Sequence, residues 1–319
     1  MKEKNPCCET QRTLCECQEC KSRFLDLTRD YGFKIVMADG NHPDLMLEFL
    51  NAVIPERKIV SIRFLNTEIL PSEEDDHRSN YDVLCIDSDG NRFLTEMQKN
   101  PYDCFADRLA VYAGGQTPHL LKRGEPYSKV RTLYVISVLD GYLKLDGEDT
   151  PNREALLRRG KFRMDDSGSI MTDKENFIFV QLPAAREPTE DTTFIEEWAW
   201  YVREMVNFSE KPSGLSRYFD LLFEASDRDN VEKGKLSIYD KMVRDEIQIA
   251  AEREYAVREA RTEARAEGRA EGRAEGRAEG RAEGRAEKIE TVRKFKQAGV
   301  DIAIISQCTG LSVEEVQAL

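Results

Sequence analysis

The sequence predicts an α/β protein followed by a helical region and a low-complexity tail, on three observations. Segments of helical and strand character alternate through the first half, the pattern of helices layered on a sheet. Apolar residues make up 40% and aromatics 8% of the 319 residues, enough for an ordinary core. Charged residues reach 34%, against about a quarter in average domains. That excess points to long solvated helices.

Taken in order, residues 1–23 are a cysteine-rich extension, with Cys7, Cys8, Cys15, Cys17 and Cys20 crowded together. The core spans 24–140. Within it Pro43 opens an amphipathic helix over 43–53, and 59–64, 81–87, 92–98 and 132–139 are rich in branched and aromatic residues and read as strands. A helix over 105–121 separates the third and fourth of these. An extension of the core over 141–235 carries a strand at 176–182 and helices at 193–208 and 215–225, with Trp198 and Trp200 as packing aromatics.

Residues 236–264 suit a long exposed helix. Residues 265–288 are five copies of Arg-Ala-Glu-Gly and one of Arg-Ala-Glu-Lys. Glycine at every fourth position costs about 1 kcal/mol each relative to alanine, and like charges rather than ion pairs recur at i, i+4. The repeat reads as a marginal helix or extended spacer. Residues 289–319 read as two short helices anchored by Val292, Phe295, Ile302 and Ile305, with Gly299 a break and Ser312 capping the second helix through Glu315. This pair suits either a helix-turn-helix or an assembly element.

Composition narrows the function classes. No run of about 18 apolar residues exists to span a membrane. The N-terminus lacks the apolar centre of a signal peptide, so the expected location is the cytoplasm, with the eight cysteines reduced. The net charge of −13 works against DNA binding by the chain as a whole. Local excesses of base at Arg153, Arg158, Arg159, Lys161 and Arg163, and at Lys122, Arg123, Lys129 and Arg131, are candidate phosphate-facing patches. His42, His77 and His119 are too scattered for a histidine-based nuclease or triad, and no phosphate-cradling Gly-x-x-x-x-Gly-Lys loop occurs. Cys17 and Cys20 have ligand spacing, and with Cys7 and Cys15 form a candidate Zn²⁺ set that lacks two clean pairs.

The chemistry concentrates in the stretch from Tyr81 to Gln98. Two strand-like runs joined by Ser88, Asp89 and Gly90 make a hairpin. With a three-residue loop and Gly90 left-handed, Asp87 pairs with Asn91 and Asp82 falls opposite Glu96. Cross-strand side chains on one face stand about 5 Å apart, and Gln98 shares that face. A two-residue loop of Asp89 and Gly90 would instead put Asp82 opposite Met97. Two converging carboxylates repel unless a cation lies between them, and oxygen ligands suit Mg²⁺ or Mn²⁺. Gln98 could orient water or substrate but could not serve as a base.

Asp30-Tyr31-Gly32-Phe33-Lys34, the helix ending Glu48-Phe49-Leu50-Asn51-Ala52, Tyr81-Asp82-Val83, Glu96-Met97-Gln98, Arg108 with Tyr112, and Gly124-Glu125-Pro126-Tyr127 come in an order that resembles the Rpn recombination-promoting nuclease and transposase family of the PD-(D/E)XK superfamily. The resemblance covers about 115 residues. It implies a restriction-endonuclease-like core with a mixed central sheet flanked by helices, an endonuclease that cuts DNA, and Mg²⁺ held at Asp82 and Glu96. The superfamily's acid on the first helix would be Glu48 or, second, Asp30, which also reads as a helix cap. Gln98 stands where the superfamily carries lysine, leaving water activation to metal and solvent. Arg108 and Tyr112, one helical turn apart, and Lys34 are candidate DNA phosphate contacts.

Two functions follow: a metal-dependent DNA endonuclease associated with recombination or transposition, and a non-enzymatic derivative that binds DNA or self-assembles. Under either, the expected partners are DNA and further copies of the chain through the C-terminal helical region.

Overall fold

The computed structural model describes residues 22–65, 82–99, 104–145 and 152–319. The zinc reading at Cys7, Cys15, Cys17 and Cys20 lies outside the described residues, as do Tyr81 and His77. The chain divides into two compact units, Met1–Arg244 and Asp245–Leu319.

The first unit is built on a six-stranded mixed sheet in the order β1-β2-β3-β4-β6-β5. Its strands are β1 (Ile62–Phe64), β2 (Val83–Asp87), β3 (Arg92–Lys99), β4 (Leu133–Asp140), β5 (Leu157–Lys161) and β6 (Glu175–Gln181). β1, β2 and β3 pair antiparallel, β3, β4 and β6 run parallel, and β5 closes the far edge antiparallel to β6. Helices α1 (Asp30–Met37), α2 (Pro43–Val53), α3 (Phe105–Gln116), α4 (Phe194–Glu204) and α5 (Arg217–Ser226) flank it.

Period-two alternation sends Leu84, Leu94, Leu133, Val135, Leu139 and Phe179 to one face, where they pack with Phe105, Leu109 and Tyr112 of α3. On the remaining helices, Phe49 of α2 meets Trp198 of α4 with ring centroids 4.3 Å apart. Trp198 Nε1 donates to the Tyr218 hydroxyl at 3.1 Å, and that hydroxyl donates to Leu45 O at 2.9 Å, so α2, α4 and α5 form one layer. Both polar tips are satisfied inside an aromatic core, as burial requires.

Strand β5 was not expected, because its four basic and glycine positions carry no branched or aromatic signal. The arginines read as a phosphate-facing patch donate instead to the protein. Arg159 donates to Glu56 Oε1 at 2.9 Å and Val53 O at 2.6 Å, Arg158 to Leu143 O at 3.1 Å, and Arg163 to Gly168 O at 2.8 Å. In the second candidate patch, Arg131 forks onto Glu125 at 2.7 and 3.1 Å.

Helix α6 (Lys233–Gln297) runs without a break through the glycine repeat, the helical one of the two readings the sequence left open. Its residues 233–244 belong to the first unit, and there Tyr239 and Val243 are buried. In the second unit the helix is followed by α7 (Ile302–Thr309) and α8 (Val313–Ala318). Val292, Ile305 and Val316 form a small core, Gly299 and Gly310 turn the chain at φ 76° and 72°, and Ser312 with Glu315 makes a reciprocal cap on α8. Phe295 is 37% exposed, outside that core. Of the cations in 289–319, Lys294 pairs with Glu290 at 2.8 Å, and Lys296 Nζ donates to Val316 O at 3.3 Å and Gln317 O at 3.2 Å. No helix among the described residues is long and apolar enough to cross a membrane.

Candidate active site

The β2–β3 hairpin sets the site. Its register pairs Val83 with Thr95, Leu84 with Leu94, Cys85 with Phe93 and Ile86 with Arg92. Gly90 takes φ 84°, and Asp87 N–H donates to Asn91 O at 3.1 Å, which is the three-residue loop. One step further out, Asp82 stands across from Glu96, and Asp82 Oδ2 accepts the Met97 N–H at 2.7 Å.

Glu96 is 2% exposed. Its Oε2 receives Arg108 Nη2 at 3.2 Å, while its Oε1 has no hydrogen-bond partner among the described residues. Burial and the charge of Asp82 both push the Glu96 carboxyl upward, against the pull of Arg108. Asp82 is raised by burial and by Asp30, with the Met97 N–H, Arg108 and Lys34 opposing. Asp82 thus disfavours the ionised form of Glu96, and Asp30 that of both, a repulsion that a shared proton or a cation relieves.

Arg108 is the hub of the polar face. From α3 it reaches Glu96, Gln98 Oε1 at 3.2 Å and the Tyr112 hydroxyl at 2.7 Å, and its guanidinium lies over the Tyr112 ring at 4.9 Å. The i, i+4 spacing of Arg108 and Tyr112 puts both on the face of α3 that meets β3.

Helix α1 supplies the third acid. Asp30 is its first residue, with Arg29 at the cap position, so it is not itself the cap. Its charge acts on both Asp82 and Glu96. Its own carboxyl is raised because burial of the carboxylate outweighs its backbone N–H and Arg108, although the residue as a whole counts as exposed. Lys34, one turn on, also acts on Asp82. Glu48, ranked first from the sequence, is exposed on α2, and the group it influences is the buried Tyr218 hydroxyl. The structure therefore brings Asp30, Asp82, Glu96, Gln98, Arg108, Tyr112 and Lys34 together and leaves Glu48 outside.

Among the described residues, no three His, Cys, Asp or Glu side chains stand as a ready metal cage. Mg²⁺ does not need one: it holds several waters and uses one or two carboxylates plus substrate phosphate. The open Oε1 of a buried Glu96 beside Asp82 fits that demand.

Sequence reading missed a network behind the site. Asp26, 5% exposed, accepts from Thr28 N and Oγ1 at 2.9 and 2.6 Å, Arg29 Nε at 3.1 Å and Lys99 Nζ at 3.4 Å. The Asp26-x-Thr28 spacing is a legible turn signal. Of its other partners Arg29 is three residues on, while Lys99 comes from distant sequence and carries no such signal.

A mixed sheet between helix layers, with Asp82 just before one strand of a hairpin, Glu96 on the other and a third acid at the start of the first helix, defines a nuclease-like α/β protein. The family model described as PD-(D/E)XK nuclease family transposase matches residues 27–256, and the chain belongs to that family. No curated protein and no solved structure matches it.

Proposed function

We propose that this chain is a divalent-metal-dependent DNA endonuclease that hydrolyses phosphodiester bonds, associated with DNA recombination or transposition. The observation that carries the reading is Glu96, a carboxylate 2% exposed with Oε1 unpartnered among the described residues and Asp82 across the hairpin. Family membership supports it.

Asp82 and Glu96 would hold Mg²⁺ or Mn²⁺, with Asp30 adding negative charge at the mouth of the site. Bound there, such an ion supplies a Lewis acid for the scissile phosphate and a water of lowered pKa. Gln98 cannot take a proton and serves to orient water or substrate through its amide. Arg108, with Tyr112 bracing its guanidinium at 2.7 Å, presents a charge-assisted donor to a phosphate oxygen. Lys34 adds a cation on the α1 side. The second unit, with its long helix and small helical core, is the candidate element for self-association.

Two observations favour a second reading, a DNA-binding or self-assembling protein that no longer cuts: Arg108 already pairs with Glu96 at 3.2 Å, and Gln98 stands where the resemblance implies lysine.

Plasmid nicking with Mg²⁺, for wild type beside Asp82→Ala and Glu96→Ala and with EDTA as control, separates the two. Nicking that is lost in both variants and in EDTA supports the nuclease. Equal nicking by wild type and variants would place the activity elsewhere, and no nicking by any, with DNA still bound, would favour the second reading.

A further inference from the structure

The acid at the start of α1 is placed by residues that do not touch the site. Residues 26–29 form a buried turn just before Asp30, and the Asp26 carboxylate collects Thr28 and Arg29 from within it and Lys99 from β3. Lys99 follows Gln98 directly on β3, three residues from Glu96. One side chain therefore ties the end of the strand that carries Glu96 to the turn that delivers Asp30.

Two further contacts hold that turn from behind. The Asp26 N–H donates to the Tyr239 hydroxyl at 2.9 Å, a buried bond from α6 across the whole length of the unit's sequence. Gly32 lies so close that an added Cβ would meet Asp26 O at 2.4 Å and Tyr239 Cε2 at 3.1 Å. Tyr239 is itself braced, since Arg228 stacks over its ring at 5.8 Å and pairs with the neighbouring Asp240 at 2.7 Å. Helix α1, the turn and the root of α6 are thus in mutual contact around one carboxylate.

We propose that Asp26 and Tyr239 are positioning residues that fix the separation between Asp30 on α1 and Glu96 on β3, and so set the metal affinity of the site from behind. The inference rests on the metal-nuclease reading. Partners of this kind, outside the ligands, typically change metal affinity or activity about 10- to 100-fold when removed. A residue with a merely structural role would lower the melting temperature and leave the affinity of the folded protein alone.

The test is Mn²⁺ binding to the full chain by titration calorimetry, alongside the Mg²⁺ concentration giving half-maximal nicking. It compares wild type, Asp26→Asn, Tyr239→Phe and Asp82→Ala, with Val180→Ala as a control that loosens β6 away from the site. Tyr239→Phe keeps the ring packed and removes only the hydroxyl, so it remains informative if Asp26→Asn does not fold. The expected result is Mn²⁺ binding weakened about tenfold or more in Tyr239→Phe and Asp26→Asn, a matching rise in the Mg²⁺ requirement, and wild-type affinity in folded Val180→Ala. Wild-type Mn²⁺ affinity in folded Tyr239→Phe, with binding abolished in Asp82→Ala, would overturn the positioning role and leave the metal reading standing. Undiminished Mn²⁺ binding by Asp82→Ala would overturn the metal reading and the positioning role with it.

Discussion

At the scale of single residues, the site's titration behaviour is set by buried carboxylates with opposed shifts. Glu96 is pushed up to about 9 and Asp82 to about 7, in each case chiefly by burial and then by the neighbouring acid. A carboxyl whose folded pKa is raised stabilises the fold fully below its unfolded value, and that contribution is lost as pH rises through the folded value. The metal-free protein should therefore lose stability as pH climbs from about 4 toward 9. Asp26 goes the other way: burial raises it, but Lys99, Thr28 and Arg29 together bring it below its ordinary value. Its contribution is present above the unfolded value and lost as pH falls through the folded one. Thermal melting across this range should show the alkaline decline flattened in Glu96→Gln and offset by Mn²⁺, which selects the ionised pair; an identical alkaline slope in wild type and Glu96→Gln would count against the buried acid pair. Arg108→Ala tests the same charges from the other side. Removing the guanidinium at 3.2 Å should raise the Glu96 carboxyl further and cut nicking at least tenfold, while Arg108→Lys, which keeps the charge but loses the fork, should recover only part.

At the scale of elements, the hairpin is the part of the site whose geometry could be counted from the chain. A loop of Ser88, Asp89 and Gly90 fixes the register, and the register fixes which side chains oppose. Gly90 is therefore a test of the site as much as of the turn. At φ 84°, and with a Cβ that would stand 2.7 Å from Arg131 Nε, alanine should cost about 1–2 kcal/mol and lower the melting temperature by several degrees. The strands β2, β3, β4 and β6 and helices α2 to α5 were legible because their apolar patterns are local. β5 was not, since an edge strand of Leu157, Arg158, Arg159, Gly160 and Lys161 takes its order from β6 rather than from its own propensities. The choice between Glu48 and Asp30 was illegible for a similar reason. Both sit on early helices, and only the folded chain brings the charge of Asp30 to Asp82 and Glu96 and that of Glu48 to the Tyr218 hydroxyl.

At the scale of the whole molecule, α6 joins two compact units through a stretch that local rules alone would interrupt. Stopping a helix at 264 and restarting it near 289 would incur a second nucleation, with an equilibrium constant of about 10⁻³. Carrying it through five glycines costs about 1 kcal/mol each, offset by the strong helix formers Arg, Ala and Glu between them. The two terms are of the same order, so the repeat is the weakest stretch of the helix. Alanine at Gly268, Gly272, Gly276, Gly280 and Gly284 should raise the helical circular dichroism signal and its melting temperature without altering Mn²⁺ affinity, because these residues lie in the second unit and the candidate site in the first. The same division predicts what truncation does. A chain ending at Arg244 keeps Tyr239 and Val243 buried and should retain folding, Mn²⁺ binding and nicking, whereas one ending before Leu236 loses the Tyr239 bond to Asp26 and should lose Mn²⁺ affinity by about tenfold or more. If the second unit is the self-association element, light scattering should give a multiple of the chain mass for the full protein and a monomer for the chain ending at Arg244. A monomeric full chain would remove self-association while leaving the nuclease site untouched.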